Sequence, residues 1–566
     1  MAKNSKRGWK VRLSFWTLLM VLLLGALQQC AMREQAKNNA TLHQADKKFT
    51  ILQVNDAYRI EGIENGQRGG FARLRTIRQD LESQDEVLVL HAGDLLFPSV
   101  MSSYSKAQTM VDAMNHLDGE PDAKDPRLVV TFGNHEFDAK RDVFDARVSE
   151  SDFHWLATNL TYVPADGTSA TPFPSVFSNA HKTITMDIAG LRVGIFSLTL
   201  DDYAADYIAF DYATDRSFVE LGSVKEALKK LKQQKVDVLI ALTHQTLEMD
   251  EKLACDVPEI DLIVGGHEHV AISTESCGTS ITKADADVVT VWVIEVDGSK
   301  GGKPKIRKRK LRLDDGVRKD GKMDAFVTEK IAALSRQVPD FFTVYGATVH
   351  KLEGLEMDIR GRETALGNWL ADVSRERMGT EITFLNGGGI RINDNIPAGS
   401  DIRGEHLAGI FYYPTQLVSF NLTGVELREI LNNSVAYADQ GSGRFLQVSG
   451  IRFKYRKATQ AEEGARFKVV DDTIRILDAG DVWRPLVDDR TYSVTTSKYL
   501  WSNGYGDGYT LFSQGDKEGG TSPSLTSDPA IKIDLRQVTE GWLKLNKVVR
   551  TDIDGRIGRM SPPKGS

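Results

Sequence analysis

At 566 residues the chain is too long for one hydrophobic core, so two large domains are expected. Apolar residues at 41% and charged residues at 26% are the balance of a soluble globular protein. A formal charge of −7 is small for this length, which excludes a global attraction to nucleic acid or to an anionic membrane surface.

The N-terminus departs from that average. Lys3, Lys6, Arg7, Lys10 and Arg12 precede an uncharged apolar run over residues 13–27, after which polar residues return. A basic head and an apolar segment of this length form the pattern of an export signal, shorter than an ordinary membrane span. Residues 1–45 are therefore expected to be an export signal or anchor with its linker. Cleavage, retention as an anchor, and lipidation at Cys30 are three fates of such a segment, and Gln28 and Gln29 stand where a lipoprotein site carries small residues. The expected location is outside the cytoplasm: periplasm, cell surface or secreted. The chain has three cysteines, and with Cys30 in the leader, Cys255 and Cys277 remain as a candidate disulfide or as two buried thiols.

From residue 49 the pattern alternates strand and helix. Strands are expected over residues 49–55, 86–90, 128–132, 193–198, 236–242 and 261–264, with helical stretches such as 219–232 between them. That alternation is a layered α/β domain, assigned to residues 46–320. Five of the strands end in side chains able to hold a metal: Asp56-Ala57-Tyr58, Asp94, Asn134-His135, His244 and His267-Glu268-His269. Ligands at strand C-termini converge at one edge of a sheet, where α/β proteins place their sites. Imidazoles with carboxylates suit Zn, Mn or Fe better than Mg or Ca. The stretch Gly133-Asn134-His135-Glu136-Phe137-Asp138 is the most specific. It offers a neutral oxygen ligand, an imidazole, and a carboxylate to orient that imidazole. Taken singly, each motif is as well explained by a turn or a core histidine; five in series point to a centre for two cations, the arrangement that phosphoester displacement uses.

This series resembles the calcineurin-like metallophosphoesterases, and among them the exported 5'-nucleotidase and UDP-sugar hydrolase family. The resemblance implies a four-layer N-terminal domain and two divalent ions, of Zn, Mn or Fe. Asp56, Asp94 and His269 would hold one ion; Asp94, Asn134, His244 and His267 would hold the other. His135 would stabilise the transferred phosphoryl group, with Asp138 orienting its ring, while water activated by the cations attacks phosphorus in line. One departure stands out: the family's first motif is Asp-x-His, and here Tyr58 takes the place of the histidine. Three outcomes follow from that phenol: a phenolate ligand with altered metal preference, a water in its place, or a single-metal site.

Residues 288–297 and 305–313 flank Gly301-Gly302 and predict a two-stranded ribbon whose second strand is rich in Lys and Arg, read as a solvated edge strand rather than a nucleic-acid patch. A linker helix is expected within residues 321–343, running from an Asp324 N-cap to Gln337. Residues 344–552 then resemble the nucleotide-binding C-terminal α/β domain of the same family, with residues 553–566 as a tail. The carriers of that likeness are Arg360-Gly361-Arg362-Glu363-Thr364, Asn386-Gly387-Gly388-Gly389-Ile390-Arg391, Leu422-Thr423-Gly424 and Phe445-Leu446-Gln447-Val448-Ser449-Gly450, with a second aromatic wall expected before Gly506-Asp507-Gly508-Tyr509. It implies that Arg360, Asn386 and Arg391 meet the substrate, that Asp507 accepts from ribose hydroxyls, and that Tyr413 forms one wall of a base clamp. Tyr499 is taken as the other wall in preference to Trp501; flat aromatic walls suit any nucleobase. The expected protein is an exported 5'-nucleotidase-type phosphohydrolase acting on nucleotides, with no nucleic-acid partner and a membrane contact only through its N-terminal segment. A cyclic-nucleotide phosphodiesterase or UDP-sugar hydrolase on this scaffold, or a nucleotide-binding protein with a decayed metal site, are the alternatives.

Overall fold

The structure, a computed structural model, describes residues 47–560 apart from 65, 122, 168, 202–204, 299–301, 460, 461, 463, 514–521 and 529. The expected export segment lies outside the described residues, and no helix among them is long and apolar enough to cross a membrane.

Two sheets pack face to face in the first domain. One has seven strands in the order 305–312, 290–297, 48–54, 87–91, 128–131, 154–156 and 180–181. The other has six, in the order 272–276, 279–283, 262–265, 238–244, 191–199 and 184–188. Lys48–Val54, Val87–His91 and Leu128–Thr131 run parallel, as do Leu191–Thr199, Val238–His244 and Leu262–Gly265. Strands in the middle of such a stack are apolar on both faces, which is why these segments read as continuous hydrophobic runs. Ile51, Leu90 and Val129 of the first sheet meet Ile195, Ile240 and Leu242 of the second between the layers. Helices cover the outer faces: Phe71–Glu82 and Gln108–Asn115 on one side, Gly222–Gln233 and Leu247–Asp256 on the other. The domain is therefore built in four layers.

The structure adjusts three sequence-level expectations. The basic strand Lys305–Arg312 is an edge, as expected, but its ribbon partner Thr290–Asp297 also pairs with Lys48–Val54, so the pair extends the large sheet. The linker helix is Gly321–Gln337, and its cap is Asp320, which accepts from the Met323 amide; Asp324 lies inside the first turn, paired with Lys319. Met323, Val327 and Leu334 lie on one face of that helix and join the first-domain core, so the helix is docked rather than free-standing. Finally, the tail is not all tail: Ile557–Arg559 pairs parallel with Ile451–Lys457, and Arg556 bridges Asp372. Burial of Ile557 in the second-domain core accounts for that addition.

In the second domain a five-stranded sheet, ordered 446–449, 382–386, 491–497, 416–423 and 533–534, carries the helices Ala365–Met378 and Gly424–Val435. The first is capped by Thr364 and stopped by Gly379 at φ 65°, the second by a Thr423/Glu426 capping box. The Asn386 to Arg391 tract leaves the C-terminal end of the strand Ile382–Asn386, so it faces the first-domain loops of Asn134, His135 and His267.

Cys255 and Cys277 form a disulfide that ties the helix Leu247–Asp256 to the hairpin of Ile272–Ser276 and Thr279–Lys283. Closing a loop of 22 residues restricts the unfolded chain. Cys277→Ser is expected to lower first-domain stability by about 3 kcal/mol in urea unfolding, and reduction of the unsubstituted protein should lower it equally.

Candidate active site

The five strand ends that carry candidate ligands meet at one end of the two stacked sheets. Asp56, Asp94 and Asn134 follow strands of the seven-stranded sheet, while His244 and His267 come from the six-stranded one. The convergence expected at one sheet edge is thus shared between two. Among the described residues, Asp56, Asp94 and His269 are the group whose carboxylate and imidazole atoms all lie within 4.8 Å of one another.

Tyr58 completes that group. Its hydroxyl lies 3.1 Å from Asp56 Oδ1, 2.9 Å from Asp94 Oδ2 and 3.0 Å from His269 Nε2, and His269 Nε2 is 3.0 Å from Asp56 Oδ1. Adjacent ligands of an octahedral cation with bonds of ~2.1 Å are about 3 Å apart, so this donor set fits one metal ion. Burial, with Asp94 and Asp56 beside it, pushes the Tyr58 phenol well above its usual range. A dication among the same carboxylates acts in the opposite sense, favouring phenolate.

The second cluster shares Asp94. His244 Nε2 lies 3.4 Å from Asp94 Oδ2 and 3.1 Å from Asn134 Oδ1, while its Nδ1 faces the Ala92 carbonyl at 2.8 Å. The His267 ring is 5.3 Å from that of His244, and its amide donates to Asp56 Oδ2. Burial disfavours the charge on His244, but Asp94 prevails and its pKa is pushed up to about 9. Burial and the neighbouring His244 cation push His267 down to about 3. Burial alone would raise Asp56 and Asp94; His269 and His244 hold them well below the carboxylate range.

Backbone shape is part of this construction. Asp56, Asp94, His267 and His269 all have positive φ, at 51°, 58°, 88° and 58°. Non-glycine residues enter that region at a cost of about 1–3 kcal/mol each, and they cluster at functional sites. Gly133 lets Asp94 come close: a Cβ there would sit 2.1 Å from Asp94 Oδ1. The hexapeptide turns into a short 3-10 helix, His135–Asp138, in which the His135 ring pairs with Asp138 at 2.9 Å and its amide donates to Asp94 Oδ1.

One member of that stretch had no role assigned from sequence. Glu136 is fully buried, and its carboxylate accepts from the amides of Gly133, Asp94, Leu95 and Leu96 at 2.5–3.0 Å. It thereby locks the Asp94 turn to the Asn134 turn. Burial and the nearby Asp94 push its pKa up to about 7. Its place between His135 and Phe137 in the hexapeptide was the available signal, but only the fold shows which amides it meets. Glu356 was also missed: from the second domain, it bonds His269 Nδ1.

A cavity of about 690 Å³ opens beside this centre. Asn134, His135 and His267 line one side, and Arg360, Asn386, Arg391, Tyr413, Tyr499 and Asp507 line the other. Arg391 lies over the Tyr413 ring at 5.9 Å, and the Tyr413 hydroxyl reaches Asp138 at 3.4 Å. Arg360 keeps a buried Nε donor without a hydrogen-bond partner among the described residues, as expected of a group that meets an anion. Of the two aromatics weighed from sequence, Tyr499 faces the cavity, whereas Trp501 packs on the core and donates to the Pro523 carbonyl.

Comparisons with known proteins agree with this architecture. The family model described as calcineurin-like phosphoesterase matches residues 49–271, and the one described as 5'-nucleotidase, C-terminal domain, matches residues 344–514. The trifunctional nucleotide phosphoesterase YfkN of Bacillus subtilis is 25% identical over 91% of this chain, which spans only 35% of that longer protein. A 5'-nucleotidase of Bos taurus is 25% identical over 95% of this chain and 93% of its own length. The structure of a 5'-nucleotidase precursor from Thermus thermophilus superposes with a TM-score of 0.69 at 23% identity, covering 91% of this chain and all of the other.

Glu136→Ala would strand four buried amide donors, so it is expected to cost more than about 3 kcal/mol in denaturant unfolding. Wild-type stability in that variant would show that the carboxylate does not hold the two ligand turns together.

Proposed function

We propose that this chain, which belongs to the 5'-nucleotidase type of calcineurin-like metallophosphoesterases, hydrolyses nucleotide phosphoesters outside the cytoplasm. One observation carries the reading: a single cavity is walled by candidate metal and phosphoryl residues of the first domain and by arginines, tyrosines and Asp507 of the second. Such a cavity holds a phosphate at one end and a nucleoside at the other. The disulfide suits an oxidising compartment, in agreement with the export signal read from residues 1–45.

The donor set suits two divalent cations of Zn, Mn or Fe. Asp56, Tyr58, Asp94 and His269 would hold the first; Asp94, Asn134, His244 and His267 the second. Bound there, the pair would supply Lewis-acid stabilisation of the phosphoryl oxygens and a lowered pKa for water. The remaining work falls to side chains. His135, oriented by Asp138, donates to a phosphoryl oxygen as charge builds there, and Arg360 and Arg391 fix the phosphate by charge-assisted hydrogen bonds. Tyr413 and Tyr499 would stack on the base, an arrangement that favours no single base strongly. Asp507 accepts from the ribose hydroxyls. Rotation between the domains lets the nucleotide enter and the product leave.

Hydrolysis products, free phosphate or cleaved and ring-opened nucleotides, should be measured over nucleoside mono-, di- and triphosphates, cyclic nucleotides and nucleotide sugars, with Mn, Zn, Fe and Mg in turn. Hydrolysis of a nucleotide by the unsubstituted chain, falling about 10²–10⁴-fold in kcat for His135→Ala, is the expected result. Silence across the whole panel would overturn the enzymatic reading.

A second measurement concerns Tyr58. Replacing the phenol by an imidazole changes the hardness of the first site, so Tyr58→His should alter which metal gives the fastest turnover, and Tyr58→Phe should retain less metal on dialysis. Identical metal content and metal ranking in all three proteins would show that Tyr58 is not a ligand.

A further inference from the structure

Three of the candidate imidazoles, those of His135, His244 and His269, have a partner on the ring nitrogen Nδ1, and two of those partners are local. His244 Nδ1 faces the carbonyl of Ala92, and His135 Nδ1 faces Asp138, both within the first domain. His269 differs. Its Nδ1 meets a carboxylate oxygen of Glu356, 87 residues further along and in the second domain. A carboxylate in that position fixes the tautomer, so that Nε2 presents its lone pair toward Asp56 and Tyr58.

Glu356 is 8% exposed, and its other carboxylate oxygen is engaged as well. That oxygen bonds Arg360 and stands 3.6 Å from Arg391 Nη1, so one side chain touches both the first metal cluster and the two arginines of the cavity. Its backbone is held too. The Glu356 amide donates to Asn393 Oδ1 at 3.0 Å, and the Asn393 amide group donates to Asp287 Oδ2 at 2.8 Å. Asp287 Oδ1 accepts from the Tyr58 amide at 3.1 Å, and the Tyr58 hydroxyl returns to His269 Nε2. The result is a closed ring of polar contacts that crosses the domain interface twice. Asp287 and Asn393 share the positive φ of the ligands, at 56° and 41°, so the ring is also a place where backbone strain is concentrated.

We propose that Glu356 is a positioning residue through which the second domain completes the first metal site, so that retention of that ion depends on domain closure. Separation of the domains removes the carboxylate from His269 and Asn393 from Asp287 in one movement, while Glu356 and Arg360, both in the second domain, move together. Binding of the ion and alignment of the arginines are thereby linked, because the same carboxylate serves both. This inference rests on the dinuclear centre proposed above.

The test uses the full chain loaded with Mn or Zn and dialysed against a graded series of EDTA, with metal per chain read by mass spectrometry. The unsubstituted protein should keep two ions. Glu356→Ala should lose one of them at about 10–100-fold lower chelator, the size of effect seen when a ligand's hydrogen-bonding partner is removed. Glu356→Gln, which keeps an acceptor but no charge, should fall between, and being isosteric it guards against a folding defect in the alanine variant. Asn393→Ala leaves the carboxylate but cuts its tether, and should shift the same ion in the same direction. Two ions held with unchanged chelator resistance in both Glu356 variants would overturn the coupling and leave the dinuclear centre standing. Fewer than two ions in the unsubstituted protein would overturn both.

Discussion

Two buried carboxylates, Asp56 and Asp94, set the terms for the rest of this molecule. Anions removed from water persist only beside positive charge or strong donors. Here His244 and His269 answer them, together with the amides of His135 and His267. Placing those groups together requires two sheets to end at the same level, since neither sheet alone carries both the aspartates and His244. The four-layer stack supplies that alignment, and its apolar interior of Ile51, Leu90, Ile240 and their neighbours keeps the strand ends from sliding.

Local backbone chemistry then sharpens what the sheets position coarsely. Left-handed φ values at Asp56, Asp94, His267 and His269 turn their side chains inward at the ends of extended strands. Glycine at 133 removes the Cβ that would collide with Asp94. Glu136 closes the arrangement by gathering four amides from two turns around one carboxylate. The strain and desolvation in these turns are offset by packing elsewhere in the domain, which is the usual economy of a preorganised site.

The second domain does more than cover the cavity. Arg59 reaches the Ile392 carbonyl and Asp394, and Glu64 is bonded by Asn395, so the loop after Asp56 is gripped by the loop after Arg391. Residues that follow a candidate metal ligand in one domain thus contact residues that follow a cavity arginine in the other. An arrangement of this kind makes the relative placement of the domains a property of the site, not only of the linker helix, which is itself docked on the first domain through Met323, Val327 and Leu334.

Strand positions were legible in the chain as apolar runs, and Asp56, Asp94, Asn134, His135, His244, His267 and His269 could be placed at or just beyond their ends, while the four-layer class was implied by the family resemblance. Boundaries were less so: the cap at Asp320 and the final strand Ile557–Arg559 depend on what packs against them. The division of ligands between two sheets could not be read, since parallel strands give the same pattern whichever sheet they join. Nor could the roles of Glu136 and Glu356, whose partners are backbone amides and a histidine 87 residues away. The linear order of residues determined which chemistry is available; only the folded chain decided which groups share a wall, because contact across domains depends on how surfaces meet and leaves no periodicity behind.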